Sequence, residues 1–245
     1  MSEWLWYSPG EAGTRVIEFD ADYAEPQARA GLTELVDLVL TGYETDDAGL
    51  PADDAVDGLF KLEERIGAVA GEAGGAFVAD IAENNTYRLL VYLPQSGLAD
   101  RFQSTIGSTF ACRIEAKSDP QWGAYEAVAL RGEELEALRD REQVDEIDDS
   151  GVEVTGDLDI TFDYEFADAE SARRAYHALR QAGYDLPELG AGVIDDESPG
   201  FGLTVSCALD ADDIGEARRK TSALVAPYGG EFAGWGYDPD DRDVE

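Results

Sequence analysis

The chain has 245 residues, 54 of them acidic and 18 basic, for a formal charge of −36 with 44% hydrophobic residues. The hydrophobic share is that of a globular protein, while the charge repels nucleic acid and anionic membranes except where a local positive patch reverses the field. No apolar run nears the roughly 20 residues that span a bilayer, and Met1-Ser2-Glu3-Trp4 lacks the basic and apolar regions of a secretory signal, so a soluble cytoplasmic protein is expected.

Taken in chain order, Trp4 to Tyr7 and Thr14 to Asp20 read as two strands joined by the turn signal Ser8-Pro9-Gly10. A strand follows at Leu35 to Tyr43, then a helix from Ala52 to Ala73 after Gly49-Leu50-Pro51. Its residues Val56, Leu59, Phe60, Ile66 and Val69 recur at helical spacing, which reads as a core stripe. Strands at Ala76 to Ala82 and Tyr87 to Leu93, a helix at Leu98 to Ile106 and a strand at Phe110 to Ala116 complete the first half.

Residues 132–155 carry ten acids, two Arg and no aromatic residue, the composition of a linker or a surface helix with a polar tail. Beyond them Leu158, Ile160, Phe162, Tyr164 and Phe166 alternate with acids, the period of a half-buried strand. A helix starting at Asp168 or Ala169 and ending near Ala182 is next, with Ala172, Ala175, Tyr176 and Leu179 on one face. Strands at Glu188 to Ile194 and Gly202 to Leu209, a helix from Ala211 or Asp212 to Tyr228 and a strand at Glu231 to Tyr237 close the order.

Both halves therefore read β-α-β-β-α-β. The expected fold is α+β: two ferredoxin-like antiparallel-sheet domains in tandem, the first with an extra N-terminal hairpin. The expected divisions are residues 1–131, an acidic helix or linker at 132–155, a second domain at 156–237 and an acidic tail at 238–245.

The chemistry of common enzymes is missing from this sequence. It has no GxSxG, P-loop, HExxH or GxGxxG motif. One His and two distant Cys, Cys112 and Cys207, cannot form a zinc quartet and read as buried free thiols with a surface imidazole. Carboxylates are so abundant that their pairing carries no weight as acid–base evidence. No catalytic residue, metal or cofactor is expected.

Three Lys against fifteen Arg, with 29 Asp and 25 Glu spread over both halves, suit a halophilic cytosol, where molar salt screens like-charge repulsion. Against this background one cluster has the opposite sign: Arg173, Arg174, His177 and Arg180 on one helix, Arg218, Arg219 and Lys220 on its companion. The cluster reads as a docking face for an acidic protein segment or for RNA, or else as a set of ion pairs that ease self-repulsion. Phe232, Trp235 and Tyr237, set among glycines on the last strand, are candidates for core packing or partner contact.

Residues 229–236, GGEFAGWG, resemble the C-terminal GGEYDGWG signature of the RraB family of regulators of ribonuclease E activity, with Phe232 in place of Tyr and Ala233 in place of Asp. The likeness covers roughly residues 155–237. The first half resembles the domain-of-unknown-function family 695 in Glu3-Trp4-x-Trp6-Tyr7, Gly49-Leu50-Pro51 and Asp119-x-x-Trp122-x-x-Tyr125. The first resemblance implies a non-catalytic regulator that binds a protein partner, a ribonuclease or RNA-processing assembly. Alternatives are a hydrolase or small-ligand binder with a site between the domains, lined by Trp122, Tyr125 and Trp235, and direct RNA binding by the basic helix face.

Overall fold

The computed structural model describes residues 2–9, 13–149, 158–187, 201–209 and 213–237. The chain divides into two compact units, Met1–Leu138 and Arg139–Glu245.

In the first unit, strands β1 (Trp4–Tyr7), β2 (Arg15–Asp20), β3 (Glu34–Thr41), β4 (Ala76–Glu83), β5 (Thr86–Leu93) and β6 (Ala111–Ser118) form one antiparallel sheet in the order β1-β2-β4-β5-β3-β6. Helices α1 (Asp53–Glu72) and α2 (Ala99–Ile106) connect its strands. Strands β3 to β6 have ferredoxin-like order, and the β1–β2 hairpin extends the sheet beyond β4, as the sequence leads one to expect. Asn84 and Asn85 turn β4 into β5 with φ of 49° and 59°, the left-handed pair that matches hairpin twist.

The nearly unbroken apolar runs of β3 and β5 mark strands covered on both faces. Val36, Leu38, Leu40, Leu89, Val91 and Leu93 are buried with Leu59, Leu62 and Ile66 of α1 and Phe102 of α2. Leu35, Leu90 and Tyr92, which point the other way, are buried with Trp122, Tyr125, Leu135 and Leu138. The segment after β6 thus folds back over the second face.

On α1 the core stripe is Leu59, Leu62, Ile66 and Ala70. Val56 and Phe60, expected in that stripe, are exposed at 48% and 61%. They lie with Glu63 and Gly67 in the adjoining row of the helix, at spacings of four, three and four residues, which turns them off the core-facing line.

Helices α3 (Gly123–Glu126) and α4 (Glu133–Asp149) follow, and the unit boundary falls inside α4. This acidic helix is more than a solvated surface element. Leu135 and Leu138 are buried in the first unit's core and Ile147 in the second's, and Asp140 is buried as well.

In the second unit, β7 (Leu158–Phe166) lies between β8 (Phe201–Leu209) and β9 (Glu231–Tyr237), antiparallel to both. A ferredoxin-like unit places its third, first and fourth strands in this order. Helices α5 (Ala169–Gln181) and α6 (Ile214–Val225) pack on each other and on the sheet. The core joins Ile160, Phe162, Tyr164, Phe166, Ala172, Ala175, Leu179, Leu203, Val205 and Val225. The strand expected at Glu188 to Ile194, the turn at Asp195 to Gly200, the helix start at Ala211 or Asp212 and the tail 238–245 lie outside the described residues.

Cys112 and Cys207 are free thiols but only partly buried, because both lie on strands with one half-covered face. Burial raises both above the ordinary thiol range.

Candidate functional site

The cations singled out in the second unit are not one surface. On α5, Asp168 caps the helix by accepting the Ser171 backbone N–H at 2.8 Å and its hydroxyl at 2.9 Å. Those bonds, the backbone one first, hold its carboxyl below the usual range. Ala172, Ala175, Tyr176 and Leu179 face the core, so Arg173, Arg174, His177 and Arg180 emerge on the exposed side.

Tyr176 anchors part of that side. Its hydroxyl donates to the Pro187 carbonyl at 2.6 Å and accepts from Arg180 Nη1 at 3.1 Å, and the His177 ring meets its edge at 5.4 Å. Arg174 Nη2 donates to Ser171 Oγ at 3.1 Å. The result is a short row of exposed cations on a capped, well-packed helix.

Of the three cations on α6, Arg219 and Lys220 are exposed, and Lys220 Nζ lies 2.5 Å from Glu216 Oε1 one turn earlier. Arg218 points inward and is 7% exposed. Its Nε donates to Asp140 Oδ2 at 3.0 Å, and its guanidinium lies 5.4 Å from the centre of the Phe232 ring. Arg218 is therefore part of the interior, which corrects its expected place on a docking face. A run of three adjacent cations on a helix cannot all share one side, since neighbours are turned by about 100°.

The aromatic residues of β9 are also structural. Trp235 is buried, donates its indole N–H to Asp140 Oδ1 at 3.0 Å and accepts at its carbonyl from Gln143 Nε2 at 2.9 Å. Phe232 is half-buried with its ring edge-on to Tyr164 at 5.8 Å, and Tyr237 is half-buried against the same core. Gly229 ends the preceding helical turn with φ of 76°. Gly230 has no room for a side chain: a Cβ there would lie 2.6 Å from the Phe166 ring. Between Gly234, opposite Asp163, and Phe232, opposite Tyr164, the extra residue is Ala233 in a β-bulge. The glycine-aromatic signature thus folds the last strand onto α4 and Phe166.

In the first unit, the Asp119, Trp122 and Tyr125 spacing has an equally local meaning. Asp119 accepts backbone N–H groups of Gly123 and Ala124 and the Tyr92 hydroxyl, the last at 2.7 Å. Burial pulls its carboxyl up, but the Tyr92 hydroxyl and the two backbone donors win and hold it below the ordinary value. Trp122, buried and at φ 58°, stacks on Tyr92 at 4.0 Å and donates to the Leu32 carbonyl at 2.8 Å. Tyr125 donates to the Asp20 carbonyl at 2.7 Å. These two rings and Trp235 are buried in the cores of their own units.

No helix among the described residues is long and apolar enough to cross a membrane. Among those residues there is also no group of three or more His, Cys, Asp or Glu placed to hold a metal ion.

Residues 138–237 match the family described as RraB, regulator of ribonuclease activity B. The match begins inside α4 and so takes in Asp140 and Gln143, the partners of Trp235, which the terminal signature alone does not reveal. No curated protein matches the chain. Among solved structures, one described as an unknown protein from Galdieria sulphuraria is similar over 84% of this chain and 98% of its own, at 10% identity and a TM-score of 0.24.

Proposed function

We propose that the chain is a non-catalytic regulatory adaptor whose second unit binds a protein partner, a ribonuclease or a component of an RNA-processing assembly. The observation that carries this reading is the match of residues 138–237 to a family of ribonuclease regulators. The binding surface in this reading is the exposed side of α5, Arg173, Arg174, His177 and Arg180, together with the exposed Arg219 of α6. Charge complementarity then selects an acidic segment of the partner and raises its association rate over the repulsion of the remaining surface. The same reading takes residues 1–131 as a family 695 domain and the acid excess as adaptation to a salt-rich cytosol.

The experiment is affinity capture by the full chain from its native host in molar salt, alongside an Arg173→Glu/Arg174→Glu variant. Both substituted residues are exposed, so the variant should keep the native melting temperature. The native chain is expected to recover an RNA-processing protein that the variant loses. Recovery of no protein partner, or of RNA alone after protease treatment, would overturn the reading.

A further inference from the structure

The six-stranded sheet of the first unit ends on strands of unequal length. β1 has four residues, whereas β6 has eight, Ala111–Ser118, which pair with β3 from end to end without a shift of register. An edge strand presents one row of backbone N–H and C=O groups, and folds blunt such a row with a short strand, a bulge, a proline or a covering segment. β6 is long, regular and free of proline. Among the described residues its backbone bonds to the backbone of no segment but β3, and Ala111, Arg113 and residues 115–118 are exposed.

The stretch that ends in this edge is depleted in acid. Residues 101–118 hold Glu115 as their one acid against Arg101, Arg113 and Lys117, where the chain's density of 54 acids in 245 residues would place about four. Burial does not explain the depletion, since Arg101, Gln103, Ser104 and residues 107–109 are exposed as well. Two copies of a chain with a charge of −36 repel each other, and an edge poor in acid lowers the cost of bringing them together.

The sequence of β6 is complementary to itself in one register. Outward-facing backbone groups recur at every second residue, so a strand that pairs antiparallel with its own copy must have the two-fold axis pass through a residue. An axis at Arg113 or Glu115 sets that residue against its own charge, and an axis at Cys112 or Ala116 leaves much of β6 unpaired. An axis at Ile114 pairs every residue from Ala111 to Lys117 and sets Arg113 against the partner's Glu115 on both sides of the axis. Arg113 and Glu115 already bond to each other at 2.5 Å along one face of β6, and this register extends that pair into an alternating row of four charges. On the other face Cys112 and Ile114 are half-buried against the core under α1 and α2, and Ile114 meets its own copy. Opposite charges and apolar side chains directly across a ladder stabilise the pairing, whereas like charges oppose it.

We infer that β6 is a self-association edge, through which two copies of the chain join as antiparallel strands about a two-fold axis at Ile114 and continue one sheet into the other. This interface lies on the first unit and does not rest on the surface proposed on the second.

Sedimentation equilibrium of the full chain in 0.5 M KCl is expected to show a reversible dimer. Glu115→Arg sets cation against cation twice across the axis and should raise the dissociation constant by about tenfold or more. Arg113→Glu/Glu115→Arg should restore dimerisation, because the exchanged charges alternate again. Both side chains are exposed, and thermal melting verifies that the variants fold. Mild oxidation reads the register. Cα atoms opposite each other in an antiparallel pair lie about 4.5–5.5 Å apart, within the range a disulfide spans, so Ala116→Cys should yield a covalent dimer through Cys112. The native chain and Cys112→Ser/Ala116→Cys, which place no two thiols opposite each other, should not. A chain that stays monomeric, a dimer indifferent to Glu115→Arg or not restored by the exchange, or a dimer that Ala116→Cys fails to cross-link would overturn the inference, as would another protein's strand occupying the edge of a monomeric chain.

Discussion

Trp235 donates its indole N–H to one oxygen of Asp140, and the other oxygen of that carboxylate receives Arg218, each bond at 3.0 Å. All three residues are buried. A helix rich in acid thus places one carboxylate where it neutralises an interior guanidinium and orients the last strand. Breaking a buried ion pair by removing one partner typically costs about 3–5 kcal/mol. Asp140→Ala, which also removes the acceptor of the Trp235 indole N–H, is therefore expected to lower the denaturation midpoint of the second unit sharply. An Asp140→Ala midpoint equal to the native one would show the pair to be energetically idle.

Gly230→Ala tests why the terminal signature opens on glycine. The added carbon would meet Phe166 at 2.6 Å and Val225 Cβ at 3.1 Å, and a side chain forced into a packed core typically costs about 1–3 kcal/mol. Ala233→Asp is the matched contrast, because Ala233 is exposed in the bulge and surface changes usually stay within about 0.5 kcal/mol. Urea unfolding should separate the two, with loss of stability in the first and almost none in the second.

How legible these features were depended on whether periodicity or partnership decided them. Alternation and helical spacing located the strands of the first unit and its ferredoxin-like order, because those patterns follow from which face is buried. Phe60 defeats the same logic: Val56 and Phe60 are apolar and at helical spacing, yet they lie one row off the line of Leu59, Leu62, Ile66 and Ala70 that faces the core. Arg218 reads as a surface residue because charged residues usually are, whereas its partner Asp140 lies 78 residues away. Asp80 was indistinguishable among so many acids. The neighbouring Tyr87 and the register opposite Glu18 give it meaning, and both are tertiary facts.

The carboxyls packed between α1 and the β2–β4 ladder also predict how stability responds to pH. Glu63 of α1 is faced by Glu18 of β2, Asp80 of β4 and Tyr87 of β5. Burial first, with the Glu18 charge adding to it, pushes Glu63 up from 4.5 to about 7 against the opposing bond from Tyr87. Burial and the neighbouring carboxylates raise Asp80 well above its ordinary value, and burial raises Asp20 to about 6. The folded chain therefore holds protons that the unfolded chain has already released, so stability falls as pH rises from about 4.5 through 7. Glu63→Gln removes one such proton and should flatten the decline. Melting curves between pH 5 and 8 at fixed ionic strength check both statements, and a native chain whose melting temperature rises over this window would contradict them.

Salt should act on the whole chain. With 18 cations against 54 acids, full pairing would still leave two thirds of the carboxylates unopposed. Several cations are already committed locally, among them Arg15 to Glu83, Arg88 to Asp37 and Arg218 to Asp140. The remaining repulsion acts over the Debye length, about 10 Å at 0.1 M and about 3 Å at 1 M, so screening favours the compact state most over that range. We expect the melting temperature to climb steeply between 0.1 and 1 M KCl, a gain of about 3 kcal/mol corresponding to roughly 6–12 °C for a chain of this size. Beyond 1 M the charge effect should level off, whereas a general salting-out effect on apolar surface would keep increasing. A melting temperature flat from 0.1 to 1 M would remove the case for adaptation to a salt-rich cytosol.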